Sequence, residues 1–265
     1  MAVSLLAMIS KDLMNTPKIP KIVIVIGSAK DAIRYQSISK QAHTLVTINN
    51  AWRIREDWDY LVYPEDFPVE NVPKEIAANQ QLIVAEDFVP TQNAYGGFVY
   101  AGGTMAFTTA YWVLGKLKPD VMAFIGCDMV YPADGKQTHF YGFGAPDPLR
   151  DDVTLQSLEA KSQRLLVLAA QQNCLCVNLS DQLTSRLTFP RVSIAQLEGI
   201  TNLDVEEKLH AVQVQFDASL VKGALDAETI LGHYIESGRY WEHVASLSRT
   251  ELAKIDALWM ASQVN

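Results

Sequence analysis

The sequence predicts an α/β fold: a Rossmann-like, mostly parallel sheet flanked by helices, with a C-terminal helical appendage. Short β-rich runs alternate with helical patterns along most of the chain. The run at residues 22–26 consists of five consecutive β-branched apolar residues, and such runs are typical of parallel strands buried on both faces. The later runs end in polar or glycine-containing tips. This repetition of strand, tip and connection favours a parallel sheet.

The strands are predicted, in order, at residues 21–26, 44–48, 60–63, 81–85, 121–125 and 174–178. Residues 91–103 are rich in Gly, Asn and Tyr, and we expect them to form a loop. Thr104 suits the N-cap of a helix that runs to about residue 116. The clearest amphipathic helix covers residues 155–172, where leucines recur at helical spacing.

The chain divides near Pro190, where the alternation of strands and helices gives way to helical patterns. We expect residues 1–190 to form a Rossmann-like nucleotide-binding domain and residues 191–265 to form the helical appendage. Within the appendage, helices are predicted at residues 220–235, 240–247 and 251–260. These helices either pack on the sheet domain or provide a surface for assembly into a homo-oligomer.

Composition limits the class of protein. The net charge of -8 over 265 residues argues against a non-specific nucleic-acid surface. The apolar stretch at residues 3–9 is too short to span a bilayer and has no basic residue before it, unlike a signal peptide. Cys127, Cys174 and Cys176 lack the further ligands that a zinc site needs. We therefore expect a cytoplasmic protein without a membrane span and with buried, reduced thiols.

Two glycine-containing loops precede helical segments and are candidate anion sites. Gly27 and Ser28 follow the first strand, and Gly102, Gly103 and Thr104 precede a helix. Backbone N–H groups at a helix N-terminus can bind a phosphate. Ordinary turns and N-capping are the alternatives. The dinucleotide fingerprint Gly-x-Gly-x-x-Gly and the P-loop pattern are both missing, which disfavours a typical NAD enzyme.

Polar side chains follow several other strands. Asn49 and Asn50 could bind a base or ribose edge through their amides, or form an Asx turn. The acidic pairs at residues 65–66 and 86–87 have the oxygen ligands for a metal, but solvated turn carboxylates are the favoured interpretation.

The strongest candidate for chemistry lies after the fifth strand, at residues 125–142. This stretch contains Asp128, Tyr131 and His139, with His139 in a polar loop between the threonine and the phenylalanine that flank it. Ligands of open α/β sheets bind outside the carboxyl ends of the strands. A histidine that titrates near neutral pH is suited to accept a proton from an attacking hydroxyl. A structural or solvent-exposed histidine is the alternative.

The order of these features resembles glycosyltransferase family 42, bacterial sialyltransferases that use CMP-sialic acid. It is also similar to the 6-hydroxymethylpterin diphosphokinase-like family of bacteria and archaea. The similarity spans roughly residues 21–185. Its most specific parts are residues 114–128, the Thr-His-Phe-Tyr run at 138–141 with the long helix after it, and Cys-Leu-Cys-Val-Asn at 174–178.

The resemblance implies a nucleotide bound across the strand tips and a transferase that needs no cofactor. The nucleotide-binding residues would be Gly27, Ser28, Asn49, Asn50, Gly102, Gly103, Thr104 and Asp128. His139 would be the general base, and Tyr131 would assist the departing phosphate. The donor would be a nucleotide-activated, CMP-linked sugar, and the acceptor would be a hydroxyl.

Two alternatives remain open. A diphosphokinase would transfer pyrophosphate from ATP to a pterin-like alcohol, with Mg²⁺ bound by strand-end carboxylates, Asp128 above all. A non-catalytic nucleotide-binding protein is the other alternative. The first glycine loop motivates it, because residues 27–31 are Gly-Ser-Ala-Lys-Asp where the sialyltransferases have Gly-Asn-Gly-Pro-Ser.

Overall fold

The computed structural model describes residues 19–131, 137–142 and 151–264. The apolar stretch predicted at residues 3–9 lies outside this part of the chain. The described residues form one six-stranded parallel sheet flanked by helices, which confirms the predicted fold class. The strands are β1 (Ile22–Ile26), β2 (Thr44–Ile48), β3 (Tyr60–Val62), β4 (Gln81–Ile83), β5 (Val121–Ile125) and β6 (Leu175–Asn178).

The sheet is doubly wound, with strand order β4-β3-β2-β1-β5-β6. The chain builds outward from β1 to β4 and then crosses back to add β5 on the other side of β1. The winding direction therefore reverses between β1 and β5, where Ile26 pairs with Ile125 at the carboxyl ends of the two strands. In folds of this kind, the crevice outside such a reversal point is where ligands bind.

The α-helices lie between β4 and β5, between β5 and β6, and after β6. They are α1 (Ala85–Ala94), α2 (Phe98–Ala101), α3 (Met105–Trp112), α4 (Leu158–Gln171), α5 (Ile194–Glu198), α6 (Asn202–Gln213), α7 (Ala218–Leu231) and α8 (Arg249–Ala261). Short 3₁₀ turns occur at Lys30–Ser37, Asn49–Ile54, Val69–Asn71, Val153–Leu155 and Tyr240–Ser246. No helix among the described residues combines the length and apolar character needed to cross a membrane.

The loop predicted at residues 91–103 is wrong, because α1 extends to Ala94 and α2 occupies Phe98–Ala101. All four residues of α2 are buried, so tertiary packing stabilises a helix that local composition does not favour. Glycines at both ends of α2 have positive φ, 85° at Gly97 and 90° at Gly102. The glycines that indicated a loop are thus the residues that terminate helices.

The helix predicted after Thr104 is present, and Thr104 is its N-cap. The Thr104 hydroxyl accepts a hydrogen bond from the backbone N–H of Phe107 at 3.3 Å. After Trp112 the chain continues as a π-helical turn, Val113–Leu117. Lys118, with φ of 48°, ends the helix in the left-handed region.

The C-terminal helices pack against α4 through two buried ion pairs. Arg164 donates to both carboxylate oxygens of Glu228 at 2.8 Å, and the Trp259 indole donates to the same carboxylate at 2.7 Å. Lys161 contacts Asp256 at 2.7 Å. All four charged side chains are at least nine-tenths buried. Since breaking a buried ion pair leaves an uncompensated charge, these pairs fix where α7 and α8 sit on α4.

The tips of β1 and β5 approach each other closely at two glycines. Gly27 donates its N–H to the carbonyl of Ile125 at 2.8 Å, and Ala29 donates to the carbonyl of Gly126 at 3.1 Å. A Cβ atom on Gly27 would overlap the Gly126 carbonyl and would lie 2.7 Å from the Cys127 Sγ. Only glycine fits here, so the two loops can be joined by backbone hydrogen bonds.

Replacing Gly27 with alanine should therefore lower the free energy of unfolding by about 1–3 kcal/mol, the usual range for overpacking a core position. Urea denaturation measures this change. Gly223→Ala is the matched control, because Gly223 lies inside α7 and an added Cβ there meets nothing within 4 Å. The control should be neutral or more stable by up to roughly 1 kcal/mol. Equal stability of the two variants would contradict the close approach.

Candidate functional site

The turn that carries His139 is bound to the tip of β1. Phe140 donates its backbone N–H to the carbonyl of Ser28 at 3.0 Å. The turn closes on itself, because His139 and Gly142 exchange backbone hydrogen bonds of 3.0 and 3.1 Å. The sequence predicted that the His139 loop and the Gly27–Ser28 loop share one edge of the sheet, and the structure brings them into direct contact.

The His139 ring is nine-tenths buried and is held by its neighbours. The Thr138 hydroxyl lies 2.8 Å from Nδ1 of His139. Tyr141 stacks on the imidazole with ring centroids 4.9 Å apart, and the Tyr131 ring lies 6.1 Å away. The Thr138 hydroxyl and the stacked Tyr141 ring thus hold the imidazole in one orientation.

Two buried carboxylates lie at the reversal point between β1 and β5. Asp31 is in the turn after β1, and Asp128 follows β5. Burial raises the pKa of Asp31, and the negative charge of Asp128 raises it further. The Ser180 hydroxyl and Arg34 oppose this shift, although neither Asp31 oxygen receives a hydrogen bond of normal geometry from a described residue. Both carboxylates also raise the pKa of the buried Cys127 thiol, after burial itself.

Within the described residues, Asp128 is anchored through one of its two carboxylate oxygens. Asn178 at the end of β6 donates to Oδ1 of Asp128 at 3.1 Å, and its amide oxygen accepts from the N–H of Ser180 at 2.9 Å. Oδ2 of Asp128 is buried without a hydrogen bond from the part of the chain that the structure describes. Among the described residues, the site thus contains buried acceptor oxygens that receive no hydrogen bond.

Asn49 and Asn50 add two more such oxygens. They begin the turn after β2, and the pairing of Ile26 with Thr47 places this turn beside the tip of β1. The turn packs against the one that contains Asp31. Within the described ranges, Oδ1 of each asparagine is buried and receives no hydrogen bond. Asn49 has a φ of 51°, a left-handed conformation that asparagine tolerates.

The segment Gly102, Gly103 and Thr104 lies at the same edge, but its predicted donors have partners. Gly102 donates to the carbonyl of Phe98 at 2.9 Å, and Gly103 donates to the Thr154 hydroxyl at 3.0 Å. The Thr104 hydroxyl caps α3 and lies 3.9 Å from the sulfur of Met129. This contact joins the start of α3 to the loop after β5. The segment is therefore next to the site, although the N–H groups of Gly102 and Gly103 already have partners.

A cavity of about 560 Å³ lies on the other side of Gly103, at the carboxyl ends of β3 and β4. The acidic pair Glu65 and Asp66 contributes to its wall. The pair at residues 86–87 instead belongs to the first turn of α1, where Asp87 accepts from the N–H of Val84 at 3.1 Å. That placement favours a helix-capping role for this second pair.

Several residues of the site were not singled out from the sequence. Asp31, Asn178 and Thr138 each contact or face a predicted site residue. The signal for Asp31 was an acidic residue in the turn after the first glycine loop. Asp31 lies near Asp128 because the crossover places β5 beside β1, and no local sequence pattern reveals this crossover.

Comparisons with protein-family models, curated proteins and solved structures gave no match. Within residues 19–131, 137–142 and 151–264, no three His, Cys, Asp or Glu side chains are grouped so that they could hold a metal ion.

Asp31→Asn should increase stability at neutral pH. Folding raises the pKa of Asp31 above its ordinary 3.8, so the stability penalty of this carboxyl grows as the pH rises from 3.8 and is complete above the folded pKa. The amide removes this penalty. The advantage of the variant should shrink as the pH falls toward 3.8, because the wild-type carboxyl is then protonated. Urea denaturation at a series of pH values measures the difference.

Asp204→Asn is the control of opposite sign. Asp204 is exposed on α6, and hydrogen bonds from Thr201 lower its pKa. That variant should be less stable at neutral pH, and the deficit should disappear as the pH falls through the folded pKa. If Asp31→Asn lost stability at neutral pH as the control does, the raised pKa of Asp31 beside Asp128 would be contradicted.

Proposed function

We propose that this protein is a glycosyltransferase-like enzyme that binds a nucleotide-activated sugar at the carboxyl edge of β1, β2 and β5 and transfers it to a hydroxyl. One observation carries the proposal. Buried acceptor oxygens of Asp31, Asn49, Asn50 and Asp128 lack donors within the described residues and lie after β1, β2 and β5, at the sheet edge to which the His139 turn is bound through Ser28. Buried polar atoms are normally hydrogen-bonded, so such a group is expected to meet a ligand.

A nucleoside offers what these oxygens lack. Ribose hydroxyls and base amino groups are donors, and asparagine and carboxylate oxygens are acceptors. The phosphates of the donor would be repelled by Asp31 and Asp128 and would lie toward the first turn of α3, where the helix dipole favours anions. Gly102 and Gly103 precede that turn, and because their N–H groups have partners in the protein, the attraction for phosphate there would come from the helix dipole. This arrangement supports a nucleotide rather than a free phosphate as the ligand.

The chemistry is assigned to His139 and Tyr131. His139 would take the proton of the acceptor hydroxyl on its imidazole as that oxygen attacks the sugar, and the Thr138 hydroxyl beside Nδ1 would help to orient the ring. Tyr131 would donate a hydrogen bond to the phosphate oxygen as the bond to the sugar breaks. Tyr141, stacked on the imidazole, would restrict its rotation. Positioning and electrostatic stabilisation supply most of the acceleration in such a scheme.

A diphosphokinase is the second candidate, and the pairing of Asp31 with Asp128 favours it. Mg²⁺ is commonly bound by one or two carboxylates together with substrate phosphates. Under this candidate, ATP binding measured by calorimetry strengthens when Mg²⁺ is added, and Asp128→Asn abolishes the effect. Nucleotide binding that is indifferent to Mg²⁺ favours the glycosyltransferase.

The cytoplasm is the proposed compartment. The three cysteines are buried and unpaired in the structure, which suits a reducing environment. The exposed faces of the C-terminal helices are the proposed surface for a homo-oligomer.

The binding step is tested by thermal shift with CMP, UMP, GDP and ATP. A ligand that binds only the folded state stabilises it by roughly 2.7 kcal/mol at a hundredfold excess over Kd. We expect CMP to raise the melting temperature the most, and we expect Asn50→Ala to reduce the shift. A protein that shifts with nucleotides but transfers nothing would be the non-catalytic binder. No shift with any of the four would contradict the proposal.

The catalytic step is tested with His139→Ala once the shift screen has identified the donor. Loss of a general base lowers the rate by about 10²–10⁴-fold, and the nucleotide-induced shift should be retained. His243→Ala is the control, because His243 is exposed in the turn Tyr240–Ser246. An unchanged transfer rate in His139→Ala would remove His139 from the mechanism.

A further inference from the structure

The cavity at the tips of β3 and β4 has the features of a ligand site of its own. Its volume of about 560 Å³ lies within the roughly 300–1,000 Å³ of small-molecule sites. One wall comes from the sheet, through Glu65 and Asp66 after β3. The facing wall comes from the C-terminal part of the chain, through Arg239, Tyr240 and Trp241. We call it the Trp241 cavity.

Aromatic rings form the apolar part of this cavity. Phe98 and Tyr240 are stacked, with ring centroids 6.4 Å apart and planes inclined by 24°. Tyr240 is fixed by a hydrogen bond of 2.8 Å from its hydroxyl to Asp152. Trp241 packs edge-on against Tyr240 and is 56% exposed. The buried rings of Phe98 and Tyr240 thus support the Trp241 ring, which is exposed at the rim of the cavity.

The polar part of the cavity is acidic. Among the described lining residues, the carboxylates are Glu65, Asp66 and Asp152, and the cation is Arg239. Arg239 contacts both oxygens of Glu65, at 3.0 and 3.3 Å, and thereby neutralises that carboxylate. Asp152 accepts hydrogen bonds from Tyr240 and from Thr154. Exposed Asp66 disfavours a phosphate or carboxylate ligand beside it and places acceptor oxygens at the rim.

We infer that the Trp241 cavity binds the neutral sugar ring of the acceptor, with the apolar face of the ring on Trp241 and its hydroxyls donating to Asp66 and Glu65. A sugar matches both walls, because one molecule carries C–H faces and hydroxyl donors. An anion would meet the carboxylates, and a purely apolar ligand would leave them without partners.

This inference rests on the proposed function and extends it to the acceptor. The start of α3 joins the cavity to the donor side. Gly103 lines the cavity, and the next residue, Thr104, contacts Met129 two positions before Tyr131. An acceptor held in the Trp241 cavity would therefore approach the donor across the start of α3.

Saturation-transfer NMR on the full chain tests the inference, with methyl glycosides of glucose, galactose and mannose as probes. We expect at least one glycoside to bind, and Trp241→Ala to weaken its binding by roughly five- to tenfold through loss of the aromatic face. Asp66→Asn should also weaken it. Tyr234→Ala is the matched control, because Tyr234 is 48% exposed and lines a different cavity. Melting temperatures near that of the wild type verify that the variants are folded.

The possible outcomes separate this inference from the proposed function. No binding of any glycoside, or equal binding by wild type and Trp241→Ala, overturns the sugar site even if nucleotides still raise the melting temperature. Trp241-dependent binding of methylammonium in place of the glycosides also overturns it, since an acidic aromatic cavity would then be a cation site. Trp241-dependent glycoside binding without any nucleotide shift supports the sugar site and contradicts the nucleotide-dependent function.

Discussion

The close approach of Gly27 and Gly126 is the constraint on which the candidate site depends. Side chains at either position would force the tips of β1 and β5 apart, and the backbone hydrogen bonds between the two loops would be lost. That spacing places Asp31 near Asp128, and it leaves the carbonyl of Ser28 free to accept from Phe140. The carboxylate pair and the His139 turn therefore both follow from the absence of two Cβ atoms.

The same arrangement explains why the site is strained electrostatically. Burial and the neighbouring charge of Asp128 raise the pKa of Asp31, and five acceptor oxygens of four residues lack donors within the described ranges. A protein optimised only for stability would pair or remove such groups. Their retention at the point where the sheet reverses its winding is the physical basis for assigning function there.

Much of the fold was predictable from the sequence because its strands are buried on both faces. The runs around β1, β5 and β6 are apolar without alternation, which is the pattern of central parallel strands. The helices α1 and α2 were missed where their sequence contains Pro90 and ends in glycines. Their stability comes from burial against the core, and local propensity does not report burial.

The candidate site was only partly predictable for a related reason. His139, Tyr131 and Asp128 lie close together in the sequence, so one stretch revealed them. Asp31 and the Trp241 cavity arise from contacts between distant parts of the chain, and the cavity joins the tip of β3 to residues after α7. Local patterns indicate which residues are polar and where strands end, but the crossover decides which of them meet.

The ion pair between Arg164 and Glu228 has a consequence for how the chain can evolve or be dissected. Glu228 receives hydrogen bonds from α4 and from Trp259 of α8, so three helices share one carboxylate. A fragment that lacked the C-terminal helices would present Arg164 and Lys161 to solvent on an otherwise apolar face. Loss of α7 would leave the buried Arg164 guanidinium without its carboxylate and would remove the acceptor of the Trp259 indole, while Lys161 and Asp256 would still join α8 to α4.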